Sequence, residues 1–240
     1  MTSPVNWQDH DAVLFDLDGV ITPTALVHMR AWSDMFNDFL SSWDGPGDTA
    51  PYTDVDYFAH VDGKPRYDGV RDFLSSRGIP ASEDLVVRLG DRKNDAFNAV
   101  LERDGVEAYP GSVRLLDHLQ VLGTPLGVVS SSANAPAVLE AAGLLDRFNT
   151  VVSGAVAKEL GLAGKPAPDT FLHAAAELGA APERSVVLED AVSGVRAGRA
   201  GRFGRVVGVD RGAGEQVLLE AGADVVVADL ADLVPDEDAA

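Results

Sequence analysis

The sequence predicts an α/β fold: a Rossmann-like open parallel sheet with helices on both faces, and an all-helical cap domain inserted after the first strand. Three observations support this prediction. Short, nearly continuous apolar runs recur along the chain, as expected of strands that are buried on both faces. Helical patterns alternate with these runs, which is typical of a parallel sheet. Between about residues 25 and 106 the strand-like runs are missing and only helical patterns occur.

Five apolar runs are predicted as strands. They are AVLFD (12–16), LGVVS (126–130), SVVLE (185–189), RVVGV (205–209) and DVVVA (224–228). Helices are predicted over 117–122, 135–142, 170–178, 192–200 and 215–221. The final residues, PDEDAA, are acidic and carry no pattern, so we expect a frayed tail.

The segment after the first strand has a helical repeat of its own. Large apolar side chains recur at helical spacing from Leu26 to Trp43, and a loop rich in glycine, proline and aspartate follows. Further helices are predicted over 68–76 and 94–102. We therefore predict two domains, namely a core of residues 1–24 and 107–240 and a helical cap of residues 25–106.

The composition excludes several functions. The 240 residues carry 38 acidic and 19 basic side chains, a formal net charge of −19, which repels nucleic acid and anionic membrane surfaces. The chain has no cysteine, which excludes disulfides, thiolate metal sites and cysteine nucleophiles. The first eleven residues do not resemble a signal peptide, and no apolar run approaches the ~20 residues that span a membrane. We expect a cytoplasmic monomer.

Two aspartates follow the first predicted strand. Residues two apart in a strand share a face, so Asp16 and Asp18 of FDLDGV project the same way before a glycine turns the chain. A polar strand end followed by a turn would explain this pattern on its own. However, Ser130 and Glu189–Asp190 also follow predicted strands, and ligands of open α/β sheets bind beyond the carboxyl ends of the strands. The sequence therefore predicts a binding site at this edge.

Four carboxylates at one edge need a cation or a proton. Two like charges ~4 Å apart repel by roughly 4 kcal/mol at an effective dielectric constant near 20. Ligand sets made only of oxygen favour a hard ion, and magnesium is the usual one beside phosphate. Asp190 taken alone is equally well explained as the cap of the next helix.

Two further segments have two explanations each. In VVSSSANAP the serine and asparagine side chains can cap the next helix, and the same hydroxyl and backbone N–H groups can bind a phosphate. These two uses are compatible. Lys165, in GKPAPD, is either a solvated loop lysine or a cation fixed in place by the two prolines.

Together these motifs resemble the haloacid dehalogenase superfamily, and within it the β-phosphoglucomutase family. FDLDGV, the strand-end Ser130, GKPAPD and LEDAVSG occur in the order and spacing of the superfamily, and the resemblance covers nearly the whole chain. DGKPRYDG, RKND and YPGSVRLLDHL resemble the family's helical cap and the return from it.

The resemblance implies a role for each motif. Asp16 would be the nucleophile that forms an aspartyl phosphate, and Asp18 the general acid and base. The transferring phosphoryl group would be bound by Ser130, Ser131 and Lys165. Mg²⁺ would be bound by Asp16, Asp18 (through its carbonyl), Glu189 and Asp190. The sugar and its distal phosphate would be bound by Arg66, Lys93, Ser132 and Asn134.

The implied function is the Mg²⁺-dependent interconversion of β-D-glucose 1-phosphate and glucose 6-phosphate through a glucose 1,6-bisphosphate. A mutase needs two phosphate sites, and Arg66 and Lys93 match the second. The alternative is a phosphatase that hydrolyses small phosphomonoesters, such as sugar phosphates, with the same aspartates. A catalytically silent sugar-phosphate binder would be expected to have lost one of the intact motifs.

Two positions depart from the family pattern. Ala133 stands where the family has a lysine, so one cation for the distal phosphate is missing unless Lys64 replaces it. Pro23 stands where related sequences have an aspartate, next to the presumed hinge into the cap. Because proline fixes φ and removes an N–H donor, cap closure is expected to differ at this point.

Overall fold

The computed structural model describes residues 5–235, and within that range the strands form one sheet of six parallel strands. The strands are β1 (Ala12–Phe15), β2 (Leu126–Val129), β3 (Thr150–Val152), β4 (Ser185–Glu189), β5 (Arg205–Val209) and β6 (Val225–Val227). Their order across the sheet is β3-β2-β1-β4-β5-β6. The predicted α/β class and the open parallel sheet are confirmed. Apart from Pro235, the predicted acidic tail lies outside the described residues.

Helices connect the strands. They are α1 (Thr24–Ser42), α2 (Asp54–Asp56), α3 (Arg66–Ser76), α4 (Glu83–Asp104), α5 (Pro110–Leu122), α6 (Ala135–Ala141), α7 (Gly154–Leu160), α8 (Asp169–Glu177), α9 (Val192–Ala200) and α10 (Glu215–Ala221). Neighbouring residues of β1 enter different hydrophobic clusters: Val13 and Phe15 join one, and Leu14 joins the other. Because side chains alternate along a strand, the two clusters lie on opposite faces of the sheet.

Some elements differ from the sequence prediction. The short edge strand β3 and the helix α7 were not predicted. The helix α4 is continuous over 22 residues, whereas the sequence indicated a helix only over 94–102. The helix α5 begins at Pro110 and not at residue 117, because proline is well suited to the first position of a helix.

The chain between β1 and α5 is helical and contains a hydrophobic cluster of its own. We call residues 24–104 the helical insert. Its cluster includes Phe36 and Phe73, whose ring centroids are 4.2 Å apart. The insert also packs on the sheet domain, because Ala31 of α1 and Phe97 of α4 belong to the cluster that contains Phe15.

The two chain segments that join the insert to the sheet domain are tied together. The backbone N–H of Tyr109 donates to the carbonyl oxygen of Ile21 at 2.9 Å, and Ser112 Oγ donates to the carbonyl oxygen of Val20 at 2.6 Å. Pro23 is the residue before α1 and has a φ of −76°, a value that proline adopts without strain.

The sheet register aligns the polar residues that follow the central strands. Phe15 pairs with Val128 on one side and with Leu188 on the other. Continuing this register by one residue places Asp16 level with Glu189. The ends of β1, β2 and β4 therefore deliver their polar residues to one edge of the sheet, as the sequence predicted.

Candidate active site

Asp16 lies at the end of β1 and is paired with Lys165. Lys165 Nζ donates to Asp16 Oδ1 at 2.5 Å, to Glu189 Oε1 at 2.7 Å and to the carbonyl oxygen of Val129 at 3.0 Å. The ammonium group is buried and its three donors are all used. Burial raises the pKa of Asp16 well above its usual range, against the opposing effect of Lys165. The sequence left two explanations for Lys165, and the structure favours the fixed cation.

Both carboxylate oxygens of Asp18 have close polar neighbours. Thr24 Oγ1 donates to Oδ1 at 2.5 Å, and His28 Nε2 lies 3.2 Å from the same oxygen. Ser130 Oγ donates to Oδ2 at 3.3 Å. Burial acts to raise the pKa of Asp18, but the imidazole of His28 and the hydroxyl of Thr24 outweigh it and lower the pKa to about 2. Asp18 is therefore held as a carboxylate.

Asp190 faces the turn that follows Asp18. Gly19 has a φ of +88°, and a Cβ atom at this position would lie 1.8 Å from Asp190 Oδ2. A glycine is required here for both reasons. Burial and the charge of Asp62 raise the pKa of Asp190 well above its usual range. A carboxylate in these surroundings is stabilised by a cation or by protonation.

Glu189 is fully buried and is engaged by the protein itself. Its Oε1 accepts from Lys165, and its Oε2 accepts from the backbone N–H of Ala191 at 2.7 Å. Both carboxylate oxygens of Glu189 therefore already accept a hydrogen bond from the protein. Its role as a metal ligand stays a prediction.

The donor set at this edge fits a hard divalent cation by its chemistry. Asp16 and Asp190 both have carboxyl groups whose pKa is raised, and each is crowded by other acids. Within the described chain, no three Asp, Glu or His side chains converge as a complete metal site. Mg²⁺ commonly uses only one or two carboxylates and completes its shell with water and phosphate oxygens. Two carboxylates are therefore a sufficient protein contribution.

The serine-rich segment after β2 is organised by its own hydroxyl groups. Ser130 Oγ accepts from the backbone N–H of Ser132 at 3.0 Å, and Ser132 Oγ accepts from the N–H of Asn134 at 3.2 Å. Ser131 Oγ donates to the carbonyl oxygen of Gly63, in the helical insert, at 2.8 Å. The predicted phosphate-binding segment thus also contacts the insert.

The insert contributes the predicted distal cations. Lys93 of α4 is buried, and its ammonium lies 5.1 Å from the ring centroids of Trp32 and Phe97. Its Nζ also contacts His28 Nδ1. Burial lowers the pKa of Lys93 to about 7. Arg66 Nη1 lies 3.9 Å from Asp91 Oδ1, and this is the one ion pair that the guanidinium makes within residues 5–235.

Most of these groups line one small space between the sheet domain and the insert, which we call the inner cavity. It has a free volume of about 70 Å³. The predicted residues that line it are Asp16, Asp18, Arg66, Lys93, Ser131, Ser132, Asn134 and Asp190. Ser130 and Lys165 line a second space instead, a groove of about 1,120 Å³ that we call the outer groove. Glu189 lines neither of the two.

The four lysines of the chain all line one of these two spaces. Lys64 and Lys93 line the inner cavity, and Lys64, Lys158 and Lys165 line the outer groove. The local cations that an anionic substrate needs are therefore concentrated where the two parts of the protein meet. Ala133 also lines both spaces, and Lys64 beside it is already paired with Asp72.

Four residues of the site were missed from the sequence. Thr24 and His28 both contact Asp18 Oδ1. Both lie in α1, where the sequence pattern marked only the apolar positions. Tyr57 and Asp62 of the insert also line the inner cavity. Burial and the charge of Glu189 raise the pKa of Asp62 to about 7. These side chains meet Asp18 or the inner cavity only in the folded chain, and no local sequence pattern marks them.

Comparison with known proteins identifies the family of the chain. The family model of haloacid dehalogenase-like hydrolases matches residues 10–202. The chain is 47% identical to β-phosphoglucomutase of Mycobacterium bovis over 239 residues, which covers 93% of this chain and 91% of the other. It is 34% identical to β-phosphoglucomutase of Bacillus subtilis over 226 residues, with coverages of 92% and 91%.

Two further similarities bear on function. The crystal structure of β-phosphoglucomutase from Clostridium difficile superposes with a TM-score of 0.77 at 26% identity, covering 94% of this chain and 93% of that one. The chain is also 32% identical to hexitol phosphatase A of Escherichia coli over 193 residues, or 78% of this chain and 77% of the other. This protein is an enzyme of the phosphotransferase or hydrolase kind, and it belongs to the β-phosphoglucomutase-like family of the haloacid dehalogenase superfamily.

Proposed function

We propose that the protein is a Mg²⁺-dependent phosphosugar mutase that interconverts β-D-glucose 1-phosphate and glucose 6-phosphate through a glucose 1,6-bisphosphate. One observation carries this proposal: the cations Arg66 and Lys93 line the same cavity as Asp16 and Asp18. A phosphatase needs a single phosphate site, whereas a mutase must hold a sugar that carries a phosphate at each end. Similarity to the β-phosphoglucomutases supports the same assignment.

Asp16 would act as the nucleophile. Its Oδ1 is bound by Lys165, which leaves Oδ2 to attack phosphorus and form the aspartyl phosphate. Lys165 would then stabilise negative charge on the phosphoryl oxygens as they approach. Asp18 would accept the proton of the sugar hydroxyl that attacks the aspartyl phosphate, and would return it to the leaving oxygen in the reverse direction. The hydroxyl of Thr24 and the imidazole of His28 would hold the Asp18 carboxylate in place.

Asp16, the carbonyl of Asp18 and Asp190 would hold Mg²⁺, with Glu189 as a further proposed ligand. The ion would supply positive charge beside the transferring phosphoryl group. It would also offset the burial and the neighbouring carboxylates that raise the pKa of Asp16 and Asp190. We propose that the helical insert, predicted as residues 25–106, is the cap that covers this site.

The test is a coupled assay with β-D-glucose 1-phosphate, a catalytic amount of glucose 1,6-bisphosphate and Mg²⁺. We expect glucose 6-phosphate to form with little inorganic phosphate, and we expect Asp16→Asn to abolish turnover. Arg66→Ala should reduce the use of the bisphosphate far more than the hydrolysis of a small phosphomonoester. Release of phosphate without glucose 6-phosphate would overturn the proposal.

A phosphatase is the second candidate, because Ala133 lines the cavity where a cation for the distal phosphate is expected. The similarity to hexitol phosphatase A supports this alternative too. The same assay separates the two activities, since it measures phosphate and glucose 6-phosphate side by side. We propose that the protein is a cytoplasmic monomer. Its net charge of −19 would repel nucleic acid and anionic membranes, so we propose that it binds neither. Among the described helices, none is long and apolar enough to span a bilayer.

A further inference from the structure

Arg211 binds the turn that carries Asp18, and the proposed mechanism does not use it. The residue lies in the loop between β5 and α10. Its Nε donates to the carbonyl oxygen of Gly19 at 2.8 Å, although the two residues are 192 positions apart in the chain. Arg211 lines neither the inner cavity nor the outer groove. Any effect of Arg211 on the chemistry must therefore pass through other residues.

The guanidinium group is itself held in one orientation. Its Cζ lies 3.9 Å from the centroid of the Tyr109 ring, and its Nη1 donates to the carbonyl oxygen of Ala228 at 3.0 Å. The loop that carries it is closed by Asp210 Oδ1, which accepts from the N–H groups of Gly212 and Gly214 at 2.9 and 3.0 Å. Because a guanidinium is planar, stacking and hydrogen bonding together fix the directions of its donors. The donor that reaches the turn is therefore a rigid one.

The turn after Asp18 is held by donors from distant parts of the chain. The carbonyl oxygens of Val20 and Ile21 accept from the start of α5 and from the residue before it. The carbonyl oxygen of Gly19 accepts from Arg211. Three consecutive main-chain oxygens are thus bound from outside the turn, and the contact of Arg211 is the nearest of the three to Asp18.

The position of Gly19 is restricted on its other side by Asp190. A Cβ atom at Gly19 would lie 1.8 Å from Asp190 Oδ2, so the main chain passes directly against this carboxylate. The Asp18 side chain is oriented by two residues of α1, in the insert. The contact with Arg211 lies within the sheet domain and does not depend on where the insert lies. Arg211 is therefore suited to fix the main chain beside Asp18.

We propose that Arg211 is a positioning residue that fixes the main chain at Asp18 and Gly19, through the Gly19 carbonyl, and so places the Asp18 carboxylate for proton transfer. The inference rests on the proposed function in one respect, the role of Asp18 as general acid and base, which a mutase and a phosphatase share. A displacement of about 1 Å at a reacting group can lower a rate by about 10²-fold, even when the substitution lies far from the chemistry.

The test compares Arg211→Ala and Arg211→Lys with a matched control, Arg184→Ala. Arg184 also makes two hydrogen bonds, both to Asp11 at 2.7 Å, but it lies at the opposite edge of the sheet, where β1 and β4 begin. Each variant is assayed with β-D-glucose 1-phosphate and Mg²⁺, and glucose 6-phosphate and inorganic phosphate are quantified separately. Thermal unfolding confirms that each variant is folded at the assay temperature.

We expect Arg211→Ala to lower kcat by about 10- to 100-fold while KM changes by less than about 2-fold. Arg211→Lys should lose less, since a lysine can donate to one carbonyl oxygen but cannot stack as a plane on Tyr109. Arg184→Ala should keep the wild-type kcat. Added guanidinium ion should raise the kcat of Arg211→Ala but not that of the wild type, and sodium chloride at the same concentration should have no such effect.

A second measurement shows whether Arg211 acts through Asp18. Arg211→Ala is combined with Asp18→Asn, and the kcat of the double variant is compared with that of Asp18→Asn alone. Effects of independent residues multiply, whereas effects of residues that act together do not. Once the carboxylate is gone, we expect Arg211→Ala to cost less than about 3-fold.

Two results would overturn the inference. One is a kcat for Arg211→Ala within about 3-fold of the wild type. The other is a full multiplication of the two losses in the double variant, which would show that Arg211 does not act through Asp18. Failure of the proposed function is a different result. If only phosphate is released, the mutase proposal fails and the same kcat ratios still decide the inference; if Asp18→Asn turns over normally, the role of Asp18 fails and the inference fails with it.

Discussion

Removing the cation at the centre of the site should destabilise the whole protein in a pH-dependent way. Lys165 Nζ lies 2.5 Å from Asp16 Oδ1 and 2.7 Å from Glu189 Oε1. Each contact corresponds to roughly 6 kcal/mol of gross Coulomb attraction at an effective dielectric constant near 20. Most of this is offset by the desolvation of three buried charges. Breaking a buried pair by removing one partner costs about 3–5 kcal/mol, and we expect Lys165→Met to fall in that range.

The sign of the pH dependence follows from Asp16. Burial already holds its pKa well above the usual range, and loss of the ammonium raises it further. A carboxyl group whose pKa is higher in the folded than in the unfolded state penalises folding above its unfolded pKa, and the penalty disappears as the pH falls and the group is protonated. The deficit of Lys165→Met should therefore be largest near pH 8 and smaller near pH 5.

Thermal unfolding followed by circular dichroism at these two pH values tests the prediction. For a chain of this size, about 3–5 kcal/mol corresponds to a fall in Tm of about 6–20 °C. The control is Lys158→Met, because Lys158 is exposed and has no carboxylate within salt-bridge distance in the described chain. A Lys165→Met protein that melts within about 2 °C of the wild type near pH 8, or with the same deficit at both pH values, would refute the reasoning.

Three further substitutions test other parts of the molecule. Asp18→Asn should lower kcat by about 10²–10⁴-fold in the coupled assay while Mg²⁺ still binds, since only the proton transfer is lost; an unaffected kcat would contradict this. Asp56→Asn should destabilise by about 1 kcal/mol at pH 7, because Asp56 completes a capping box and accepts from Arg77 Nη2 at 2.9 Å. Hydrogen bonds lower the pKa of Asp56 despite partial burial, so its contribution is lost as the pH falls below about 4, where variant and wild-type urea curves should converge. Gly63→Ala should reduce kcat/KM at least about 10-fold, since φ is +66° and the added Cβ would lie 2.2 Å from Ser193 Oγ; a normal kcat/KM would show that this contact is dispensable.

The strands at the centre of the sheet could be predicted well because they are buried on both faces. The four residues of β1 and of β2 are all buried, and their apolar runs are unambiguous in the sequence. The edge strand β3 was missed because it is only three residues long and two of them are half-buried, so its pattern is weak. The helix α4 was predicted too short, since Gly90 and the charged residues around it interrupt the apolar repeat.

The residues of the candidate site also fall into a group that the sequence could predict and a group that it could not. Asp16, Asp18, Ser130 and Asp190 follow central strands, and their convergence results from the sheet register. The residues of the insert depend on how two separate hydrophobic clusters dock, which no local pattern encodes. For that reason the sequence alone could not show that the insert adds a carboxylate to the inner cavity. The pairing of Glu189 with Lys165 was also hidden, because it depends on how the loop before α8 lies against the end of β4.

The position of the inner cavity has a consequence for how fast such an enzyme can work. The cavity has a free volume of about 70 Å³ and lies between the insert and the sheet domain. Two hydrogen bonds join the two sides of this cavity: Ser131 Oγ and Ser193 Oγ donate to the main-chain oxygens of Gly63 and Asp62. Any movement of the insert away from the sheet domain must break both of them. In the proposed mutase reaction, the bisphosphate would exchange its two ends while these hydrogen bonds are broken. If this movement of the insert is rate-limiting, and phosphoryl transfer is not, kcat should fall in a viscous medium such as glycerol solution.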